Sequence, residues 1–343
     1  MKKTLSILIV AIVTFGCSNH DIEFDDYDYQ SIYFPYQTPV RTIILGDESV
    51  GDNAIDLEHA FSIGVTMGGA YENTTDRIVT VEYAPELGEN ITHIFNKDTL
   101  ELEVLPAGYY EANFDKIVIP AGEFSGKMRV DLNDVFFEDP LSATTHYVIP
   151  VRITGAERDT VLSGEPNPIV DVPDPRVAED WLVVPKDYTL FGIKYINETH
   201  GMYLLRGERI ATATNDTTTY SKRFITDNNM TKLSTLSLTE NVMDISGGTF
   251  TGDFWGILLT FNKDSKTVTV SQKDATTVGA SGTGVYYTKD DNESEGFNGK
   301  KRKTIYLDYT LDQAGIIYAV KDSLVFVDTD IVFEEFIVNV IVP

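Results

Sequence analysis

Apolar and polar residues alternate with a period of two along most of this chain, and Gly, Asn, Asp and Pro interrupt the alternation about every ten residues. In "RIVTVEY", Val79, Val81 and Tyr83 alternate with Thr80 and Glu82. In "KMRVDL", Met128, Val130 and Leu132 alternate with Arg129 and Asp131. "HYVIPVRI" sets Tyr147, Ile149, Val151 and Ile153 on one face and Pro150 on the other. A proline brings no N–H to a ladder, so that placement suits an edge or a bulge. Helical spacing is nearly absent. The pattern predicts an all-β protein, because period two with short turns is what antiparallel sandwiches and barrels require.

Five of the 13 prolines fall between residues 166 and 185. Proline at this density disfavours regular structure and stiffens a connection. The predicted organisation is therefore a first domain over 30–165, a Pro-rich linker over 166–186 and a second domain over 187–343. The first reads as a sandwich. The second is a run of eight to ten strand patterns from "DYTLFGIKYI" to "FEEFIVNVIV". That number suits a lipocalin-like up-and-down barrel, which encloses one small ligand or fills with side chains, or else a second sandwich. In "FNKDSKTV", Asn262, Lys263 and Asp264 supply the turn of a tight hairpin.

The N-terminus has a different character. Lys2 and Lys3 precede the apolar "TLSILIVAIVTFG", which is too short to span a bilayer comfortably and matches a secretory signal over 1–16. Cys17 follows Gly16 directly and is the single cysteine of 343 residues. A small residue followed by cysteine is the end of a bacterial lipoprotein signal, although Thr14 and Phe15 depart from its usual pattern. A diacylated Cys17 would hold the protein stably at a membrane, since two chains anchor where one does not. Residues 17–29 are acidic and poor in aliphatics, and read as a tether. The expected location is lipid-anchored at the outer membrane, on the cell surface. The formal net charge is −26, which repels phosphate backbones and excludes nucleic acid as a natural partner.

Four stretches carry a resemblance: "SIYFPYQTPVRTIILGDE", "FSIGVTMGGAYENTTDRIVTVEY", "LEVLPAGYYEANFDKIVIPAGEFSGKMRVDL" and "THYVIPVRITGA". Together they resemble the N-terminal module of a family of Bacteroidota surface lipoproteins of unassigned biochemistry, encoded near polysaccharide-utilisation genes. The region opening "DYTLFGIKYINETHGMYLLRG" is similar to the β-rich C-terminal module often attached to it. The resemblance implies an immunoglobulin-like N-terminal sandwich. It also implies glycan capture at the cell surface, with other polysaccharide-uptake proteins as further partners. The family has no assigned catalytic residues to carry over.

The search for chemistry is mostly exclusive. The five histidines are isolated in sequence and no C-x-x-C occurs, so no zinc site or other cofactor is expected. "GASGTG", Gly279–Gly284, fails the spacing of a nucleophile elbow and reads as a flexible hairpin loop. Asp290, Asp291, Glu293 and Glu295 in "KDDNESEGFNG" could bind Ca²⁺ through oxygen ligands but lack an EF-hand order, and a solvated hairpin tip is the simpler reading. Glu334 and Glu335 are adjacent and point to opposite faces of a strand, so they do not form a glycosidase pair. Trp181 lies in the connection, where it docks the domains. Sugar binding needs aromatic faces and polar groups on the hydroxyls. "YINETHGMY" gathers Tyr195, Asn197, Glu198, His200 and Tyr203 about one turn, where they either line a site or close a hairpin. Trp255 begins a strand as core or barrel mouth. The candidate ligand-binding residues are thus Trp255, Tyr195, Asn197, His200 and Tyr203, with no catalytic residue assigned. The expected function is non-catalytic glycan binding. The alternatives are a glycoside hydrolase or a protein-binding adhesion or assembly module.

Overall fold

The computed structural model describes residues 29–47, 51–95, 98–224, 227–245 and 256–341. It is all-β. Among those residues, two facing sheets form an N-terminal sandwich and eight antiparallel strands close into a barrel. One sheet of the sandwich runs in the order Thr160–Val161, Ser31–Tyr33, Ala60–Gly68, Ser125–Leu132, Tyr110–Ala112. The other runs Glu334–Glu335, Pro39–Ile44, Tyr188–Ile196, Tyr147–Ala156, Arg77–Tyr83, Lys116–Ile119. The predicted alternation is what fills the space between them. Ile63, Val65, Met128 and Val130 of the first sheet pack against Val79, Val81, Ile149 and Val151 of the second. β-Branched side chains on a pleated surface pack closely in this arrangement.

Pro150 is a correction. The Tyr147–Ala156 strand is central, not an edge, yet its pairing with Arg77–Tyr83 begins only at Val151↔Tyr83. The Pro150 carbonyl accepts the N–H of Ala84 at 3.1 Å, just beyond that ladder, where no donor is required of the proline itself.

The barrel is an up-and-down meander: Gly201–Ala211, Asn229–Thr235, Glu240–Asp244, Gly256–Asn262, Thr267–Gln272, Gly279–Tyr287, Thr304–Gln313 and Ile316–Asp328. Ile316–Asp328 closes the ring by pairing back on Gly201–Ala211. At the predicted hairpin, the Asn262 side-chain oxygen accepts the Ser265 N–H at 3.1 Å and Lys266 takes a φ of +53°. The interior is filled with side chains, among them Tyr203, Leu205, Leu259, Phe261, Ile305, Leu307, Leu324 and Phe326.

"GASGTG" is not a loop. It lies in the Gly279–Tyr287 strand, between Thr267–Gln272 and Thr304–Gln313. Gly282 and Gly284 stand opposite Tyr309 and Leu307. A Cβ on Gly282 would come within 2.5 Å of the Tyr309 Cα, and one on Gly284 within 2.6 Å of Leu307 Cδ2. The glycines let two strands approach around bulky inward residues.

A buried carboxylate sits among those residues. Asp322 is 5% exposed, and its carboxylate accepts the Tyr309 hydroxyl at 2.8 Å and the Tyr220 hydroxyl. Gly207 makes the room for it, since a Cβ there would collide with Asp322 Oδ1. Burial raises the Asp322 pKa to about 6 against the pull of both tyrosines.

Strand pairing also moves the expected domain boundary. Tyr188–Ile196, predicted to open the second domain, is inserted into the sandwich, antiparallel to Tyr147–Ala156 and parallel to Pro39–Ile44. Both of its faces are buried. Ile193 and Tyr195 enter the main sandwich core, while Tyr188 and Leu190 join a second cluster with Val40, Leu87, Ile91 and Phe336. "FEEFIVNVIV" likewise leaves the barrel. Glu334–Glu335 pairs with Pro39–Val40, and Val338–Val340 pairs with Ile91–His93. Two crossings of the chain therefore tie barrel and sandwich together. The Pro-rich connection is also more structured than its composition suggests. Glu165–Pro166 pairs with Trp181–Val183, and the Arg176 guanidinium donates to the carbonyls of Leu87 at 2.9 Å and Glu89 at 2.7 Å. The Trp181 indole donates to the Asp174 carbonyl at 2.8 Å, within the connection itself.

Candidate functional site

The sandwich is open along one side, and the backbone explains why. Ser31–Tyr33 pairs with Ala60–Gly68 only at Thr66–Gly68. The chain then bends through Phe34, Pro35 and Tyr36 and crosses to the other sheet, which it enters at Pro39. Pro35 fixes φ and brings no N–H, which favours such a departure from a ladder. From Ala60 to Val65, the flank of that strand turned away from Ser125–Leu132 has no strand beside it among the described residues.

A groove of about 570 Å³ occupies the gap, with Phe34, Val40, Ile63, Val65 and Phe191 in its lining. Its far wall is Ile331–Phe333, the segment that descends from the barrel. Three contacts hold that segment down. Glu334 meets Lys194 Nζ at 2.6 Å, the Phe336 N–H donates to the Thr38 carbonyl at 3.1 Å, and the Phe336 ring is buried. At the rim, Tyr36 and Phe333 pair with ring centroids 4.6 Å apart and planes tilted by 48°. They remain 46% and 62% exposed. Arg41 stands in the groove with one guanidinium nitrogen on the Thr42 carbonyl at 2.9 Å and another on Asp56. Asp56 is fully buried and also accepts the Ile44 N–H at 3.0 Å. Burial pushes its carboxyl up, against the pull of that N–H and of Arg41. A second hollow of about 470 Å³ continues past Arg41, Ile331 and Val332, and its walls include Asp52, Asp328 and Asp330. The size, the apolar lining and the few convergent polar groups are those of a small-ligand site.

The residues expected from sequence lie elsewhere. Tyr195 is fully buried in the sandwich and donates its hydroxyl to the Phe137 carbonyl at 3.0 Å. Tyr203 is fully buried in the barrel and donates to the Thr199 carbonyl at 2.8 Å. Asn197 is 2% exposed. Its amide donates to Ser237 O at 2.9 Å, Glu240 O at 3.2 Å and Asn241 Oδ1 at 2.9 Å, and its oxygen accepts from Asn241 Nδ2 at 3.1 Å. His200 Nδ1 accepts the Thr235 N–H at 3.1 Å, and burial lowers the pKa of its ring to about 4. Of the two readings of "YINETHGMY", the geometry is that of a closed turn. It seals the sandwich against the barrel, with Asn197 and Asn241 as a reciprocal amide pair. Trp255 and Cys17 lie outside the described residues.

The acidic loop also resolves into separate partners. Asp291 accepts from Thr288 N–H at 2.8 Å and from Lys266 at 2.5 Å, and these contacts lower its pKa to about 2. Glu295 turns away to Arg206, Tyr306 and Ser323. The sequence reading missed Tyr36, Arg41 and Phe333. Tyr36 alone has a local signal, "YFPYQTP", where aromatics beside prolines break the alternation.

Two family models match separate parts of the chain. Residues 27–160 match a family model described as an N-terminal domain, and residues 198–330 match a domain of unknown function, DUF5627. A solved structure from Bacteroides ovatus, described as of unknown function, is similar at 31% identity with a TM-score of 0.77; the match covers 92% of this chain and 100% of that one. A multidomain protein including DUF1735 from the same organism is 14% identical, with 88% and 97% covered and a TM-score of 0.43. An auxiliary nutrient binding protein from Bacteroides thetaiotaomicron is 14% identical, with 83% and 89% covered and a TM-score of 0.39. None of the curated proteins matches the chain. With both modules matched in order and a relative at 31% identity covered from end to end, the chain belongs to the Bacteroidota family, associated with polysaccharide-utilisation loci, in which such an N-terminal domain precedes a DUF5627 module.

Proposed function

We propose that the protein captures glycan in the groove beneath Tyr36 and Phe333, as a non-catalytic accessory of a polysaccharide-uptake system. The observation that carries this reading is the aromatic pair itself. Two large rings held half-exposed at the mouth of an apolar groove offer flat faces to the C–H faces of a pyranose. Thr42, Thr66, Ser125 and Arg41 in the lining supply hydroxyl and guanidinium partners for sugar hydroxyls. Among the described residues the lining of the groove itself contains no carboxylate, whereas glycoside hydrolysis requires two, and this favours binding over cleavage. The family's association with polysaccharide-utilisation loci supports the ligand class. In isothermal titration against a broad oligosaccharide panel, Tyr36→Ala and Phe333→Ala are each expected to weaken binding about tenfold, with the melting temperature retained. Binding that both variants leave unchanged would place the site elsewhere.

The same reading includes a tether. Diacylated Cys17 holds the two modules at the outer membrane, facing the glycan supply, and the support for it is the sequence around Gly16-Cys17. Metabolic palmitate labelling of the full chain is expected, and Cys17→Ala is expected to abolish it. Labelling that persists in the variant would remove the anchor.

A further inference from the structure

The charges of the groove run against those of the chain. The sequence carries 53 acidic and 27 basic residues, yet the charged side chains lining the groove are Arg41 and Lys127, both basic. Arg41 is engaged by Asp56 and the Thr42 carbonyl. Lys127 makes no ion pair among the described residues. Its position follows from the sheet. Lys127 stands opposite Gly64 in the ladder, and a Cβ added to Gly64 would lie 3.7 Å from Lys127 Cγ. The lysine stem thus covers the space the glycine leaves, and Lys127 lines the groove as an exposed residue. Lys127 is exposed, so its attraction for an anion is that of a surface cation and falls as salt rises. Elsewhere the net field of a −26 chain repels anions, so an anion that binds needs a local cation such as this one.

We infer that the ligand is an acidic oligosaccharide whose carboxylate or sulfate rests on Lys127. This inference rests on the glycan reading of the groove and deepens it. The adjoining hollow fixes a direction as well. Asp52 and Asp328 line it beyond Arg41 and repel a second anionic group, while Asp330 beside them is paired with Lys232 at 2.8 Å. The bound saccharide therefore places its charge at the Lys127 end and neutral sugars toward the aspartates.

The test is isothermal titration of the ectodomain with two matched pairs: oligogalacturonates against their carboxyl-reduced forms, and a sulfated oligosaccharide against its desulfated form. The two pairs separate carboxylate from sulfate as the source of charge. The acidic member of one pair is expected to bind about tenfold tighter than its neutral counterpart and to weaken as salt is raised. Lys127→Gln is expected to remove that preference while Tyr36→Ala weakens both members. If neutral and acidic members bind alike and both are lost in Tyr36→Ala, the groove is a glycan site and the charge inference fails. A preference that survives in Lys127→Gln also overturns it. Absence of binding across both pairs, or binding indifferent to Tyr36→Ala, overturns the inference together with the groove.

Discussion

Asn197→Ala is expected to destabilise the protein by about 3 kcal/mol and to leave glycan binding at the groove unchanged. The side chain donates to two carbonyls and to Asn241, and accepts from Asn241 in return. Its oxygen also receives the Thr199 N–H at 3.2 Å. Alanine leaves several of these buried groups without partners, and each such loss costs more than an exposed hydrogen bond returns. For a protein of this size the melting temperature is expected to fall by about 5 °C. The opposite outcome, binding lost with stability intact, would restore the turn as a ligand site and contradict its role as a seal between the modules.

The second large effect is on pH dependence. The Asp322 carboxyl has a pKa of about 6 in the folded barrel against an ordinary value of 3.8, because burial penalises its charge. The unfolded chain therefore gives up this proton more readily. The contribution of Asp322 is most favourable below the lower value, declines as pH rises from about 4 to 6 and is constant above, a change of about 3 kcal/mol. Asp322→Asn cannot ionise. In urea titrations, the stability of this variant relative to the parent is expected to rise by about that amount between pH 4 and 7. A difference that stays flat across this window would mean that the carboxyl is ionised throughout, with its two tyrosines compensating fully.

Much of the fold was legible because alternation is a local property. Met128, Val130 and Leu132 point inward as their spacing predicts, and Asn262 closes the hairpin it was expected to close. Partner choice is not local. Tyr188–Ile196 has the pattern of a strand, but nothing in its own residues says that it joins the earlier sheet. Its second face is buried only when Leu87, Ile91 and Leu102 from the sandwich and Phe336 from the C-terminal segment are brought over it. "GASGTG" failed for a different reason. Glycine marks both a loop and a close approach of backbones, and the Tyr309 and Leu307 side chains that decide between them lie on another strand.

The candidate site was less legible. Asn197 and His200 are polar residues in a turn, a context that ordinarily faces solvent, and their burial depends on Asn241 and Thr235 from the barrel. Tyr36 and Phe333 come from opposite ends of the chain. They meet because one strand switches sheets after Tyr33 and because the tail recrosses to pair with Pro39–Ile44. The first event leaves only the prolines of "YFPYQTP" as a mark, and the second leaves none in the residues around Phe333. The aromatic content, 11% of the chain, suits a β core as readily as sugar recognition, and so it did not point to these residues.

The most direct measurement of the central claim is a crystal structure of the protein with a bound oligosaccharide. It is expected to show a sugar ring against Tyr36 and Phe333, with further residues along the groove toward Arg41. Saccharide held instead at the barrel or at the Asn197 turn, with the groove empty, would contradict it.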